Sequence, residues 1–150
     1  MQVIIFDDAQ QVAEHAAEWV SQLVNNKPKA VLGFATGSTP ISLYKQLKHQ
    51  QNTLSFDNTT SFNLDEYLGI DENSSQSYRQ FMNENLFDHV DINKNKTFLP
   101  TCNQGENPRE QGLAYENSIK EAGGIDLQIL GIGANGHIGF NEPTSSLASR

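Results

Sequence analysis

The feature that most narrows the folds open to this chain is a regular exchange between short apolar runs and segments whose apolar residues recur at helical spacing. Short apolar runs bounded by turn residues read as strands, and the 3.6-residue period reads as helices with one buried face. "VIIF" (3–6) is the first such run and reads as a buried strand, followed by Val12, Ala16, Val20, Leu23 and Val24 at helical spacing behind the cap Asp8. "AVLGFA" (30–35) is the second, and "TGSTP" after it puts Pro40 at a first helical position with Ile41, Tyr44 and Leu47 on the buried face. "TTSFNL" (59–64) is a third strand, Tyr78, Phe81, Met82 and Phe87 mark a helix from Ser77 to Phe87, and "TFLP" (97–100) is a further short strand. In "NPRE" Asn107 caps a helix, Pro108 takes its first turn and Glu110 bonds back. Leu113, Ile119 and Ala122 carry that helix to Gly123 and Gly124, and "IDLQILGI" (125–132) is the last strand.

Strands and helices alternating at these lengths predict an α/β fold, a doubly wound, mostly parallel, Rossmann-like sheet with right-handed crossovers and helices on both faces. No repeat, low-complexity tract or linker divides residues 1–150, which read as a single domain. Its last stretch, "NEPTSSLASR", is polar and Ser-rich with no closing element, and reads as the cut end of a fold incomplete at its C-terminus.

Eighteen acidic residues against ten basic ones leave a net charge of −8, which argues against non-specific nucleic-acid binding and against docking on anionic lipid. An anionic ligand must therefore be held by a local site working against the overall field. Cys102 is the single cysteine, so an intrachain disulfide is excluded and no zinc-type Cys spacing exists. "MQVIIFDDAQ" has no basic flank and too short an apolar run for a signal segment or membrane span, so a cytoplasmic location is expected.

Parallel strands bring their carboxyl ends to one edge, where open α/β sheets bind ligands. Three polar clusters follow three of the strands: "TGSTP" (36–40), "DEY" (65–67) and the Gly-rich stretch 131–142. In the first, Gly37 lets the backbone turn while Thr36, Ser38, Thr39 and the free amides of the next helix suit an anion; alone, the same letters also describe an ordinary helix cap. Asp65 ends a strand, where partial burial raises a carboxyl toward a useful base, and a loop-capping aspartate is the alternative. Glu66 alternates to the other side and reads as a structural hydrogen-bonding group. An imidazole gives and takes protons around neutrality. His137 supplies one, with Glu142 as an acidic neighbour and Asn135 as a neutral group able to orient a ring nitrogen; a hydrogen-bonding spacer is the alternative there. His15, His49 and His89 read as solvated. Gly131, Gly133 and Gly136 satisfy the dinucleotide fingerprint, but Pro143 leaves no room for the helix that fingerprint requires.

Together, "GFATGSTP", "FNLDEYLGI", "SYRQFMNENLFDHVDI" and "GIGANGHIGFNEP" closely resemble the glucosamine-6-phosphate deaminase family, in order and over nearly the whole chain. Family chains continue well past this C-terminus, so the resemblance makes the chain an N-terminal portion, expected to be inactive and marginally stable by itself. It implies conversion of glucosamine 6-phosphate and water to fructose 6-phosphate and ammonia in amino-sugar catabolism, with neither metal nor organic cofactor. Asp65 is then the base that takes the C2 proton and returns it at C1. His137 is the ring-opening acid/base, assisted by Glu142 and Asn135, and Thr36, Gly37, Ser38 and Thr39 hold the phosphate. Some relatives carry aspartate at the place of Asn135. The implied partner is a small sugar phosphate, and members differ in whether they assemble as homo-oligomers. Two alternatives stand beside this reading. One is a 6-phosphogluconolactonase-like hydrolase, which shares the "GSTP" loop. The other is a sugar-phosphate-binding module without turnover, since later family segments supply basic phosphate ligands.

Overall fold

A computed structural model of the chain describes residues 2–146. Helix α1 (Ala9–Asn26) opens on the Asp8 carboxylate, which accepts from the Gln11 amide at 2.9 Å, and buries Ala13, Ala17, Val20 and Val24. Strand β1 (Val31–Phe34) follows, then α2 (Ile41–His49), β2 (Thr60–Asn63), α3 (Tyr78–Asn85), β3 (Thr97–Phe98), α4 (Pro108–Glu121) and β4 (Leu127–Gln128). The four strands form one parallel sheet in the order β3-β2-β1-β4. All four residues of β1 are buried, as a strand with neighbours on both edges and helices above it should be.

The main core lies between the sheet and the first three helices. Leu32 and Phe34 of β1 meet Tyr44 and Leu47 of α2, Met82 of α3 and Phe87, all at most 1 % exposed. The Phe34 ring stands edge-on to Tyr44 at 5.7 Å. Each such side chain contributes about 1.5–3 kcal/mol through burial. The opposite face carries α4, which has no fully buried residue and is held chiefly by Tyr115. Its ring packs edge-on to Phe62 at 5.7 Å, and its hydroxyl donates to the carbonyls of Asn63 (2.7 Å) and Phe98 (3.1 Å). The expected doubly wound α/β arrangement is thus present, with one face far more thickly covered than the other.

Three expectations are corrected. "VIIF" is not a buried strand: no described strand pairs with residues 3–6, so their backbone has no ladder, and Val3 and Ile5 are 71 % and 89 % exposed. His15 is not simply solvated, because Phe6 folds over it; its ring lies 5.1 Å from Phe6 and 5.6 Å from Trp19. The strand expected over 125–132 shrinks to Leu127–Gln128. At its start the Asp126 carboxylate takes the Val31 amide at 2.9 Å, and past Ile129, which donates to Gly33, the chain leaves the sheet. The helix start at 107–110 is as expected: the Asn107 oxygen caps Arg109, and Glu110 bonds back to the Asn107 side-chain amide at 3.1 Å.

Candidate active site

The chain lays down β1, β2 and β3 outward in one direction and then returns to place β4 on the free side of β1. That reversal makes the carboxyl ends of β1 and β4 a switch point, where the two outgoing loops part and leave a crevice. Residues 35–40 leave β1 there, residues 129–142 leave β4, and residues 64–67 leave β2 alongside. They enclose an open cleft of about 880 Å³ whose walls include Thr36 to Thr39, Asp65, Tyr78, His137 and Glu142. Asn135 is not part of the wall; it stands behind His137.

The loop 36–39 is anchored at its entrance. The Tyr44 hydroxyl, on a fully buried side chain of α2, donates to the Ala35 carbonyl at 2.5 Å. Burial pushes the Tyr44 phenol well above its ordinary range, so it stays a donor at every working pH. Gly37 adopts φ +98°, a left-handed conformation open to glycine at little cost. The cap of α2 is Pro40, without a side-chain hydrogen bond. Ser38 and Thr39 therefore do not act as an ordinary helix cap, and the amides of residues 37–39 have no backbone partner among the described residues. Unpaired amides ahead of a helix N-terminus are the makings of an anion site.

After β2 the chain divides two adjacent carboxylates between two environments. Glu66 is wholly engaged: its Oε1 accepts from the amides of Tyr67 and Tyr78, and its Oε2 from that of Arg79, each at 2.9 Å. It therefore ties the first turn of α3 to the loop. Asp65, half-buried, faces the cleft. Burial and, second, the neighbouring Glu66 charge raise its pKa above the ordinary carboxylate value, the direction that makes a carboxylate a stronger base.

The Gly-rich segment folds into tight turns, with Gly133 donating to the His137 carbonyl at 2.8 Å and a bridge between Ile138 and Asn141. No helix follows Gly136 among the described residues, and the dinucleotide arrangement is absent there. The imidazole lies flat over Gly133, where a Cβ would come within 2.1 Å of His137 Cε1. Only glycine leaves that space. The Asn135 oxygen lies 2.5 Å from His137 Nδ1, and the Asn135 amide nitrogen donates to Glu142 Oε2 at 2.7 Å. A carboxylate only accepts, so the amide turns its NH2 to Glu142 and its oxygen to the ring. Nδ1 must then carry the hydrogen, and in the neutral ring the lone pair is on Nε2. Glu142 reaches His137 through Asn135.

Tyr78 and Gln128 also line the cleft, though sequence reasoning gave Tyr78 only to a helix face and Gln128 only to a strand. The signal for Tyr78 was its place just after the cap Ser77, where a first-turn side chain projects toward the loop that caps the helix. Among the described residues no three His, Cys, Asp or Glu side chains gather to hold a metal ion, and no helix is long and apolar enough to cross a membrane.

Known proteins share this chain's sequence and fold. The family model of glucosamine-6-phosphate isomerases/6-phosphogluconolactonase matches residues 7–140. A glucosamine-6-phosphate deaminase of Colwellia psychrerythraea is 79 % identical over the whole chain, and one of Pseudoalteromonas translucida 59 %. In both cases the chain spans 57 % of the relative's length. The solved structure of a monomeric glucosamine-6-phosphate deaminase of the NagB superfamily superposes on the whole chain with TM-score 0.92 at 39 % identity, the match covering 63 % of that protein. A 6-phosphogluconolactonase of Thermotoga maritima superposes on 93 % of the chain, and 62 % of its own, with TM-score 0.73 at 25 % identity.

Proposed function

This chain belongs to the family of glucosamine-6-phosphate isomerases and 6-phosphogluconolactonases, and from that premise we propose that it forms the sugar-phosphate domain of a cytoplasmic deaminase turning glucosamine 6-phosphate and water into fructose 6-phosphate and ammonia. The observation that carries the reading is the placing of two proton-transfer groups across one cleft, Asp65 after β2 and the amide-held His137 after β4, with the open amides of residues 37–39 beside them. The chemistry needs two such groups. Opening the pyranose moves a proton from the C1 hydroxyl to the ring oxygen, which suits a ring nitrogen with a free lone pair. Isomerisation then moves a proton from C2 to C1, which suits a carboxylate of raised pKa. The C1–C2 enolamine so formed takes its proton back at C1 and becomes a C2 imine. Water adds to that carbon and ammonia leaves, so no nucleophilic side chain takes part. Thr36, Gly37, Ser38 and Thr39 receive the phosphate on amides and hydroxyls.

The test uses the chain completed to the length of its relatives, incubated with fructose 6-phosphate and ammonium in heavy water. Deuterium should enter at C1 in the parent. Asp65→Asn should slow that exchange by about 10²–10⁴-fold, the worth of a positioned base. His137→Gln should instead slow release from the cyclic sugar. Wild-type exchange by Asp65→Asn would remove Asp65 from the role. A parent that hydrolyses 6-phosphogluconolactone and leaves C1 unexchanged would turn the reading to the lactonase branch.

A further inference from the structure

We propose that Tyr78 orients the sugar, its hydroxyl hydrogen-bonding a hydroxyl on C3, C4 or C5, between the phosphate at one end of the substrate and the reacting carbons at the other. The proposal rests on the reading above, in which phosphate lies on residues 36–39 and C2 lies at Asp65. A sugar phosphate stretched between those two points has its remaining hydroxyls in between, and Tyr78 lines the same cleft as both, with Asp65 near enough for its charge to act on the phenol.

Three contacts set the side chain there. Its amide is bound to Glu66 Oε1 at 2.9 Å, on the residue next to Asp65. Its ring rests against Tyr67 with centroids 4.8 Å apart. Its hydroxyl donates to the Tyr67 hydroxyl. At 3.1 Å that last bond is long for O–H···O, where about 2.7–2.8 Å is usual, and Tyr67 is an exposed partner. A sugar hydroxyl arriving at the wall can replace it without leaving a buried group unpaired. The hydroxyl stays protonated throughout: the bond to Tyr67, then burial, then the nearby Asp65 charge push the phenol up to about 12. Next to a base, a neutral donor that never titrates at working pH fixes a substrate without competing for the proton being moved.

The experiment compares Tyr78→Phe with the parent, both completed to family length, using inorganic phosphate, fructose 6-phosphate and its 3-, 4- and 5-deoxy analogues as competing ligands. Loss of one neutral hydrogen bond should weaken fructose 6-phosphate about fivefold to tenfold. Phosphate should bind equally well to both proteins. One deoxy analogue should bind both equally too, because its missing hydroxyl is the partner. A structural role would weaken every ligand alike, and that result, or no change in any, overturns the proposal. Turnover of glucosamine 6-phosphate by the parent tests the underlying reading separately, so the two failures are told apart.

Discussion

Replacing Glu66 by Gln changes no shape and removes one acceptor. The carboxylate serves three amides through two oxygens, whereas an amide side chain has one oxygen and must turn its NH2 toward an N–H. In one orientation the Arg79 amide loses its partner; in the other both Tyr67 and Tyr78 do. A hydrogen bond to a charged group is worth about 1.5–3 kcal/mol, and a negative charge on a helix N-terminus about 0.3–1 kcal/mol more. Part of this is recovered from water at a half-open site, leaving a cost of about 2–3 kcal/mol. For a domain of this size each kcal/mol moves the midpoint by about 2–4 °C, so Glu66→Gln should melt about 4–12 °C below the parent by far-UV circular dichroism at pH 7. A midpoint within about 1 °C of the parent would refute the assignment of Glu66 as the clasp between loop and α3. A second signal has its own sign. Because the Glu66 charge is the lesser cause of the raised Asp65 pKa, its removal should move the acidic limb of the pH–rate profile downward without abolishing the shift that burial causes.

Gly133→Ala should push the imidazole off its platform, since the new methyl would lie 2.1 Å from His137 Cε1. A displacement of that order typically costs about 100-fold in turnover, measured in the completed chain with sugar-phosphate binding as a control. Asp65→Asn should stabilise the fold at pH 7. Its folded pKa is raised, so its contribution to stability is full below the unfolded value, about 3.9, and is lost as pH rises through the folded one. The gain in melting midpoint over the parent should therefore vanish in acid. Tyr44→Phe leaves the Ala35 carbonyl without its donor, and thermal melts should show a loss of about 1–3 kcal/mol.

What could be read from the letters follows from where each element finds its partners. Helix α1 was legible in its cap and in Val20 and Val24, though its buried face is turned toward Ala13 and Ala17 and leaves Val12 exposed; β1 was legible because its apolar letters match a strand covered on every side. The run at 3–6 has the same letters and a different fate, since a strand exists only where another offers an edge, and no local pattern shows which edges are filled. Asp126 illustrates the same limit: at the start of β4 its carboxylate takes the amide of Val31, 95 positions away. At the site, the convergence of residues 36–39, 65 and 137 was legible from parallel topology alone. The division of labour between Asp65 and Glu66 was legible too, through alternation along an extended segment. Tyr78 was missed because its spacing marked it only as part of a helix face, whereas the first turn of α3 turns it toward the loop that Glu66 ties down.

The two groups proposed to carry protons across the cleft are set by different means, and the difference explains a neutral residue between two ionisable ones. Asp65 is tuned by its surroundings: burial disfavours its charged form, and Glu66, itself quenched by three amides, adds a smaller push in the same direction. His137 is tuned by orientation. A carboxylate directly on Nδ1 would favour the imidazolium, in which both nitrogens are donors and neither can take a proton from a sugar hydroxyl. Asn135 accepts from Nδ1 without that charge, and it can do so only while its NH2 is drawn away by Glu142 at 2.7 Å. Glu142 thus sets the ring's tautomer by turning an amide rather than by pairing with the ring. Gly133 supplies the flat floor on which the imidazole is held. In the neutral ring Nε2 is the nitrogen with the lone pair, on a residue that lines the same cleft as Asp65.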